Sequence, residues 1–431
     1  MKLDENQLRL EGVYAQNDRG DYMQRVKLAG GILSVVQAEA LATLAARYGS
    51  GVLHLSTRGS VEFHGLQAAD LPQVYRGLSA VGLFSRGACG GAVRGISCSS
   101  SFGPGFSRTQ VVLRHFLQHF SGNPHFEGLP KKFKIALEAG YTGQHHLIQD
   151  LALVLVEEAE DASRYDVWLA GGLGREPQAG FLLTAQVPEE ELLPLTEAVI
   201  DVYKEGTAKG RRLKHLLNNI DETALRERIA ERRRQKNPVV FHDAFSKALL
   251  PGDGCQRLAI RVFAGELPAA HLADIARLAK QYDCQWLLVT PDQDIELLLE
   301  QPSVELEQEL SALGFDLNRG VTEMGALRVC PGNHQCRMGL CATRELAKSL
   351  REKFAAKLGK RSLAISGCHN SCAQPQLADF GILAGKLKRD GEQRIPLYDL
   401  YRKSSAALGQ KVGVELTEGE LIAQLEKLLQ V

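Results

Sequence analysis

The sequence has no net charge to spend on a partner: Lys plus Arg total 51, and so do Asp plus Glu. That balance removes the global electrostatic argument for nucleic acid or an anionic membrane, although a local patch can survive it. No stretch approaches the apolar length of a membrane span, and the opening MKLDENQLRLEG has no apolar h-region. The expectation is a cytoplasmic chain with no membrane and no nucleic-acid contact. A nucleotide-cofactor fold is also missing. GGLGREPQAG (residues 171–180) is glycine-rich, but it is not GxGxxG opening the helix of a βαβ unit. It reads as a tight loop near a cofactor, and electrons, if handled, must arrive from another protein. A disulfide framework is the last absence. Nine cysteines leave one odd, and nothing signals an oxidising compartment.

What is present is a particular cysteine spacing. Cys330 and Cys336 stand as C-x5-C in CPGNHQC, and Cys368 and Cys372 as C-x3-C in GCHNSC. Four thiolates on two short glycine-bearing loops match the ligand set of a 4Fe–4S cluster. Structural zinc is the competing reading, but its paired cysteines usually sit about two to four residues apart.

At 431 residues the chain exceeds one core, and it contains an internal repeat. RVKLAGGILSVVQAEALATLAARYG, from Arg25, resembles IRVFAGELPAAHLADIARLAKQYD, from Ile260. LSAVGLFSRG and LSALGFDLNRG close the two copies, with Tyr48 matching Tyr282 and Arg86 matching Arg319. This is a duplicated α/β module with domains between the copies, not a solenoid. In the first copy Tyr22 to Leu28 reads as a strand. Ser34 and Gln37 form a capping box for a helix to Tyr48, closed by Gly49. Val52 to Ser56 and Val61 to His64 read as strands, and Asp70 as the cap of the next helix. The expected units are 8–80, 84–232, 239–318, 322–400 and a tail helix within 401–431. The basic run GRRLKHLLNNIDETALRERIAERRRQK reads either as a solvated helix face or as a docking surface for an acidic electron donor.

Basic residues recur where solvation does not demand them. In LPKKFKI alternation sends Lys132 and Lys134 to one face and Phe133 to the other. An anion between the two ammonium groups would explain the pairing, although an ordinary half-exposed strand reads the same way. Arg25 lies in the first strand, Arg58 follows a strand in LSTRGS, and Arg94 lies in GACGGAVRGISCSS. Such forked cations suit a polyanion. Aligned on Tyr48, Arg58 falls on Asp292, as expected if duplication left one live site and one scaffold.

With STRGSVEFHG, RGACGGAVRG, LPKKFKI, GGLGREP, CPGNHQC and GCHNSCAQPQLADFG in order, the chain resembles the sirohaem-containing nitrite and sulfite reductases over nearly its whole length. The resemblance implies an α+β fold of duplicated ferredoxin-like half-domains around a two-part sirohaem and 4Fe–4S binding core with a pseudo-twofold repeat. It implies a cluster on Cys330, Cys336, Cys368 and Cys372, with Cys372 also the axial sirohaem ligand. Arg25, Arg94, Lys132 and Lys134 would line the anion pocket, and Arg58 would hold sirohaem carboxylates. The implied reaction is reduction of sulfite or nitrite by a ferredoxin-like or other external donor protein. KFK, rather than the KWN toward which nitrite reductases tend, favours sulfite. Two departures are Thr57-Arg58-Gly59 in place of TRQ, and an extra Cys341, read as a buried small hydrophobe. A precorrin-3B synthase-like enzyme and a sirohaem-free electron carrier are the alternatives; the basic pocket argues against both.

Overall fold

The computed structural model of the chain describes residues 4–98, 105–159, 163–241, 255–318, 325–404 and 407–430. Arg319, the expected match to Arg86, lies outside them. Among the described residues are four five-stranded sheets, and the repeat explains their pairing. The capping box forms as expected: Ser34 Oγ accepts from Gln37 N–H at 3.2 Å, and Gln37 Oε1 accepts from Ser34 N–H at 3.0 Å. The helix Val35–Tyr48 then packs against its counterpart Ala269–Gln281, and one apolar core spans both copies. Asp70 is different. Its backbone is already helical, and its side chain makes no capping bond.

The two copies exchange a strand. Ile32–Ser34, from the first copy, pairs with Trp286–Val289 in the sheet of the second. Glu266–Pro268, at the matching place in the second copy, pairs with Val52–Leu55 in the sheet of the first. Each half-domain sheet is thus completed by its partner, and neither closes its edge alone.

The duplication extends into the cores. One sheet runs Ser97–Cys98, Ile135–Glu138, Leu151–Glu157, Arg164–Leu169, Phe181–Pro188. The other runs Leu327–Val329, Leu363–Ser366, Phe380–Asp390, Gln393–Arg402, Gln410–Leu416. Both begin with two parallel pairings and continue with two antiparallel ones. They also share a loop device. Asp150 Oδ2 accepts from Lys134 N–H, and Asp379 Oδ2 accepts from Ser362 N–H, each at 2.8 Å and each just before the first two long strands. The strand Gln393–Arg402 crosses residue 400, so the tail helix Glu418–Leu429 belongs to this second core. It buries Leu421, Leu425 and Leu429 there.

Candidate functional site: an anion cavity beside four cysteines

A cavity of about 490 Å³ opens between the half-domains and the two cores. Its wall carries Arg25, Lys27, Arg58, Arg94, Lys132 and Lys134, with the peripheral Arg9 and Arg337, against two carboxylates, Glu5 and Glu62. Cys330, Cys336 and Cys372 share the same wall. All five basic residues expected at the site are therefore brought together with three of the four expected cysteines.

The lysines arrive there through the alternation of LPKKFKI, although only Ile135 onward is regular strand. Phe133 is fully buried against Tyr203, while its backbone bridges Val93. Lys132 and Lys134 consequently face the cavity. Burial, then Arg94, pushes Lys132 down to about 8; burial, then Arg58 and Lys132, pushes Lys134 well below its ordinary value. Arg58 turns inward to Gln149 Oε1 and the Gly95 carbonyl, each at 2.8 Å, and burial with the nearby Arg94 lowers it to about 9. Arg94 bonds the Ala88 and Gly90 carbonyls, yet its Nε is buried with no hydrogen-bond partner. Cations that depress one another, with an unsatisfied N–H among them, describe a space made for a polyanion.

Arg25 is held differently. It stands directly opposite Glu62 in the antiparallel register, and its Nε and Nη2 both donate to Glu62 Oε1, at 2.8 and 2.5 Å. Burial opposes the charge on each, but the pair prevails. Arg25 is raised, and Glu62 lies well below the carboxylate range. Glu62, His54 and His64 are cavity residues that motif reading did not single out. Lys27 was legible as the residue two beyond Arg25 on the same face.

The thiols occupy two loops of the second core. Cys330 Sγ accepts from Gly367 N–H at 3.1 Å, and a Cβ on Gly332 or Gly339 would lie within 2.4 Å of the neighbouring loop atoms. The glycines therefore let the loops close around the sulfurs. Burial raises Cys330 and Cys368, and raises Cys336 to about 11; for Cys330 the next cause is Cys372. The four thiols lie on two adjoining loops of the second core, and a metal group held there must take their protons. Among the described residues no three or more His, Cys, Asp or Glu side chains gather closely enough for a single ion. A cube binds each thiolate to a different iron and so needs wider spacing. The residues present fit a cluster. Thr57 Oγ1 donates to the Cys372 carbonyl at 2.7 Å, and Gln374 Nε2 to the Thr57 carbonyl at 3.2 Å, tying the cysteine loop to the turn that carries Arg58.

Three other expectations resolve. Cys341 is buried among apolar residues, as expected. The glycine-rich loop abuts the cavity through Leu173. The basic run has much of its charge paired: Arg226 with Glu222, Arg232 with Glu205, Arg233 with Glu191, and Lys236 with Glu197 and Asp201. Arg212 is buried on Asp150 at 2.7 Å. A run so neutralised offers a donor protein little net field, which favours the solvated-face reading.

Two family models match, "Nitrite/Sulfite reductase ferredoxin-like half domain" over residues 14–81 and "Nitrite and sulphite reductase 4Fe-4S domain" over residues 107–237. The chain belongs to the nitrite and sulfite reductase family. Such a reductase is an oxidoreductase, and its cofactors are a 4Fe–4S cluster and sirohaem. The second match falls on a segment of the first core that contains none of the nine cysteines; the four-cysteine set lies in the duplicate core. Among similar reductases, sulfite reductase (ferredoxin) 2 of Mycolicibacterium paratuberculosis is 29% identical, covering 90% of this chain and 73% of the relative. Ferredoxin–nitrite reductase of Synechococcus elongatus is 28% identical, covering 93% and 82%. The solved structure of Mycobacterium tuberculosis NirA superposes with a TM-score of 0.83 at 23% identity, over 98% of this chain and 86% of that one, a likeness of fold. No helix among the described residues is long and apolar enough to cross a membrane.

Proposed function

We propose that this reductase converts sulfite to sulfide with electrons from an external, ferredoxin-like donor protein. The observation that carries the reading is the pair Lys132 and Lys134, side by side in the cavity with Arg94 and Arg25 and sharing its wall with Cys372. Sulfite is a dianion, and a pocket whose cations so outnumber its carboxylates suits it. In this reading Cys330, Cys336, Cys368 and Cys372 would hold the cluster, Cys372 would be shared with the sirohaem, and Arg58 would bind the tetrapyrrole carboxylates. The bound cofactors supply one-electron steps, six in all for sulfur passing from sulfite to sulfide.

The chain's own residues do the rest. Arg25 and Arg94 hold and polarise the oxyanion through their forked guanidinium N–H groups. Lys132 and Lys134, depressed by burial, donate hydrogen bonds and protons as oxygens leave as water. Nine free cysteines and a cluster suit a reducing compartment, which supports a cytoplasmic setting for the reaction. Nitrite is the second reading, favoured by the name of the Synechococcus relative.

The test is the visible spectrum of anaerobically purified protein, from cells that make sirohaem, before and after sulfite under reducing conditions. Haem bands that shift with sulfite support the reading. An iron–sulfur shoulder without haem bands would sink it.

A further inference from the structure

A carboxylate in the wall of an anion pocket demands a reason. Of the two that line the cavity, Glu5 is exposed at the rim, whereas Glu62 is only 5% exposed. We propose that Glu62 positions Arg25 and, by its charge, sets how strongly the pocket prefers a dianion to a monoanion. The inference rests on the reading of this cavity as the site of sulfite or nitrite reduction, and it names what tunes the choice.

The sheet builds the device. Arg25, Glu62 and His54 stand opposite one another on three adjacent strands, one row of side chains across the sheet. Glu62 Oε1 takes both Nε and Nη2 of Arg25, and neither bond uses Nη1. Glu62 Oε2 lies 3.5 Å from His64 Nε2. Arg25 is thereby locked along one edge of its guanidinium, which leaves Nη1 as its free corner. The same carboxylate subtracts one charge from the basic wall. A charge in this wall acts on a dianion about twice as strongly as on a monoanion at the same place. Glu62 therefore weakens sulfite more than nitrite, while the geometry it imposes on Arg25 serves both.

The duplicated copy isolates the feature. Glu296 holds the position of Glu62, but Ala259 and Leu288 stand opposite it, and its ion pair is with Arg257. Only the first copy joins the carboxylate to an arginine that lines the cavity.

Two substitutions separate charge from position. Glu62→Gln keeps the shape and an acceptor for Arg25 but removes the charge. The ratio of kcat/KM for sulfite to that for nitrite should rise about three- to tenfold. Acidifying until sulfite is bisulfite should abolish the rise, since both substrates are then monoanions. Glu62→Asp keeps the charge but shortens the reach; kcat/KM should fall for both substrates with the ratio unchanged. Calorimetric titration of sulfate and nitrate into the holoprotein reads the same ratio without turnover. A Glu62→Gln protein with intact visible bands whose ratio stays put in both assays overturns the proposal. Wild-type holoprotein that reduces neither anion overturns the reductase reading instead, and the sulfate-to-nitrate binding ratio still judges Glu62.

Discussion

At the scale of single residues, the cavity is defined by charges that burial makes costly. Lys132 gives a pH prediction with a definite sign. Because its value is depressed to about 8, it is cationic below that pH and neutral above. Sulfite binding that draws on this charge weakens as pH rises through about 8, so KM for sulfite should climb on the alkaline side. Lys132→Arg keeps its charge at every working pH and should move that limb upward. A KM profile identical in the two proteins would count against Lys132 as a ligand of the anion. Replacing Lys134 by Met should lower kcat/KM for sulfite about 100-fold, the usual loss for one donor aimed at developing charge. Steady-state kinetics on variant protein with unchanged visible absorption measures it.

Elements carry the next set of causes. The turn Ser56 to Ser60 and the loop of Cys372 come from opposite ends of the chain, yet Thr57 Oγ1 joins them at 2.7 Å. Thr57→Val removes that bond and should cost about 1 kcal/mol. The expected readouts are a lower unfolding midpoint and faster loss of cofactor absorbance on dilution. The exchanged strands make a stronger claim. Leu267 is 2% exposed and pairs with Leu53, while Leu33 is 1% exposed and pairs with Leu287. A fragment ending at residue 241 would lack Glu266–Pro268 and leave both Ile32–Ser34 and the Val52–Leu55 edge unpaired. Such a fragment should aggregate or stay unfolded alone, and fold when co-expressed with the remainder. A well-dispersed amide spectrum from the isolated fragment would show the exchange to be dispensable.

For the whole molecule, the basic cavity and the cysteine loops lie where the half-domains and the two cores meet, so cofactor loading and stability should be linked. Anything that binds only the folded state stabilises it. Cys368→Ser should reduce iron content and visible absorption together, and the holoprotein's unfolding midpoint should drop toward that of the apoprotein. Full haem absorption with the cluster gone would mean that the two cofactors load independently.

The four-cysteine spacing, the basic strand and the first repeat were all legible in the sequence, because each is a local pattern. Alternation in LPKKFKI put Lys132 and Lys134 on one face, and Ser34 with Gln37 marked a helix start that the structure contains. The sequence also signalled that Arg58 has no arginine counterpart; the fold shows Asp292 accepting from Arg328 at 3.3 Å instead. Tertiary structure alone decided what depends on distance through space. Three-residue segments such as Ile32–Ser34 carry no sign of which sheet they join, since pairing is chosen by the partner edge and not by propensity. The second core repeats the first in topology, but its side chains diverge too far for a repeat to be read. Glu62 looked like any residue of a half-buried strand until register set it against Arg25. A carboxylate's role is fixed by its neighbours, and the decisive one, Arg25, is 37 residues away.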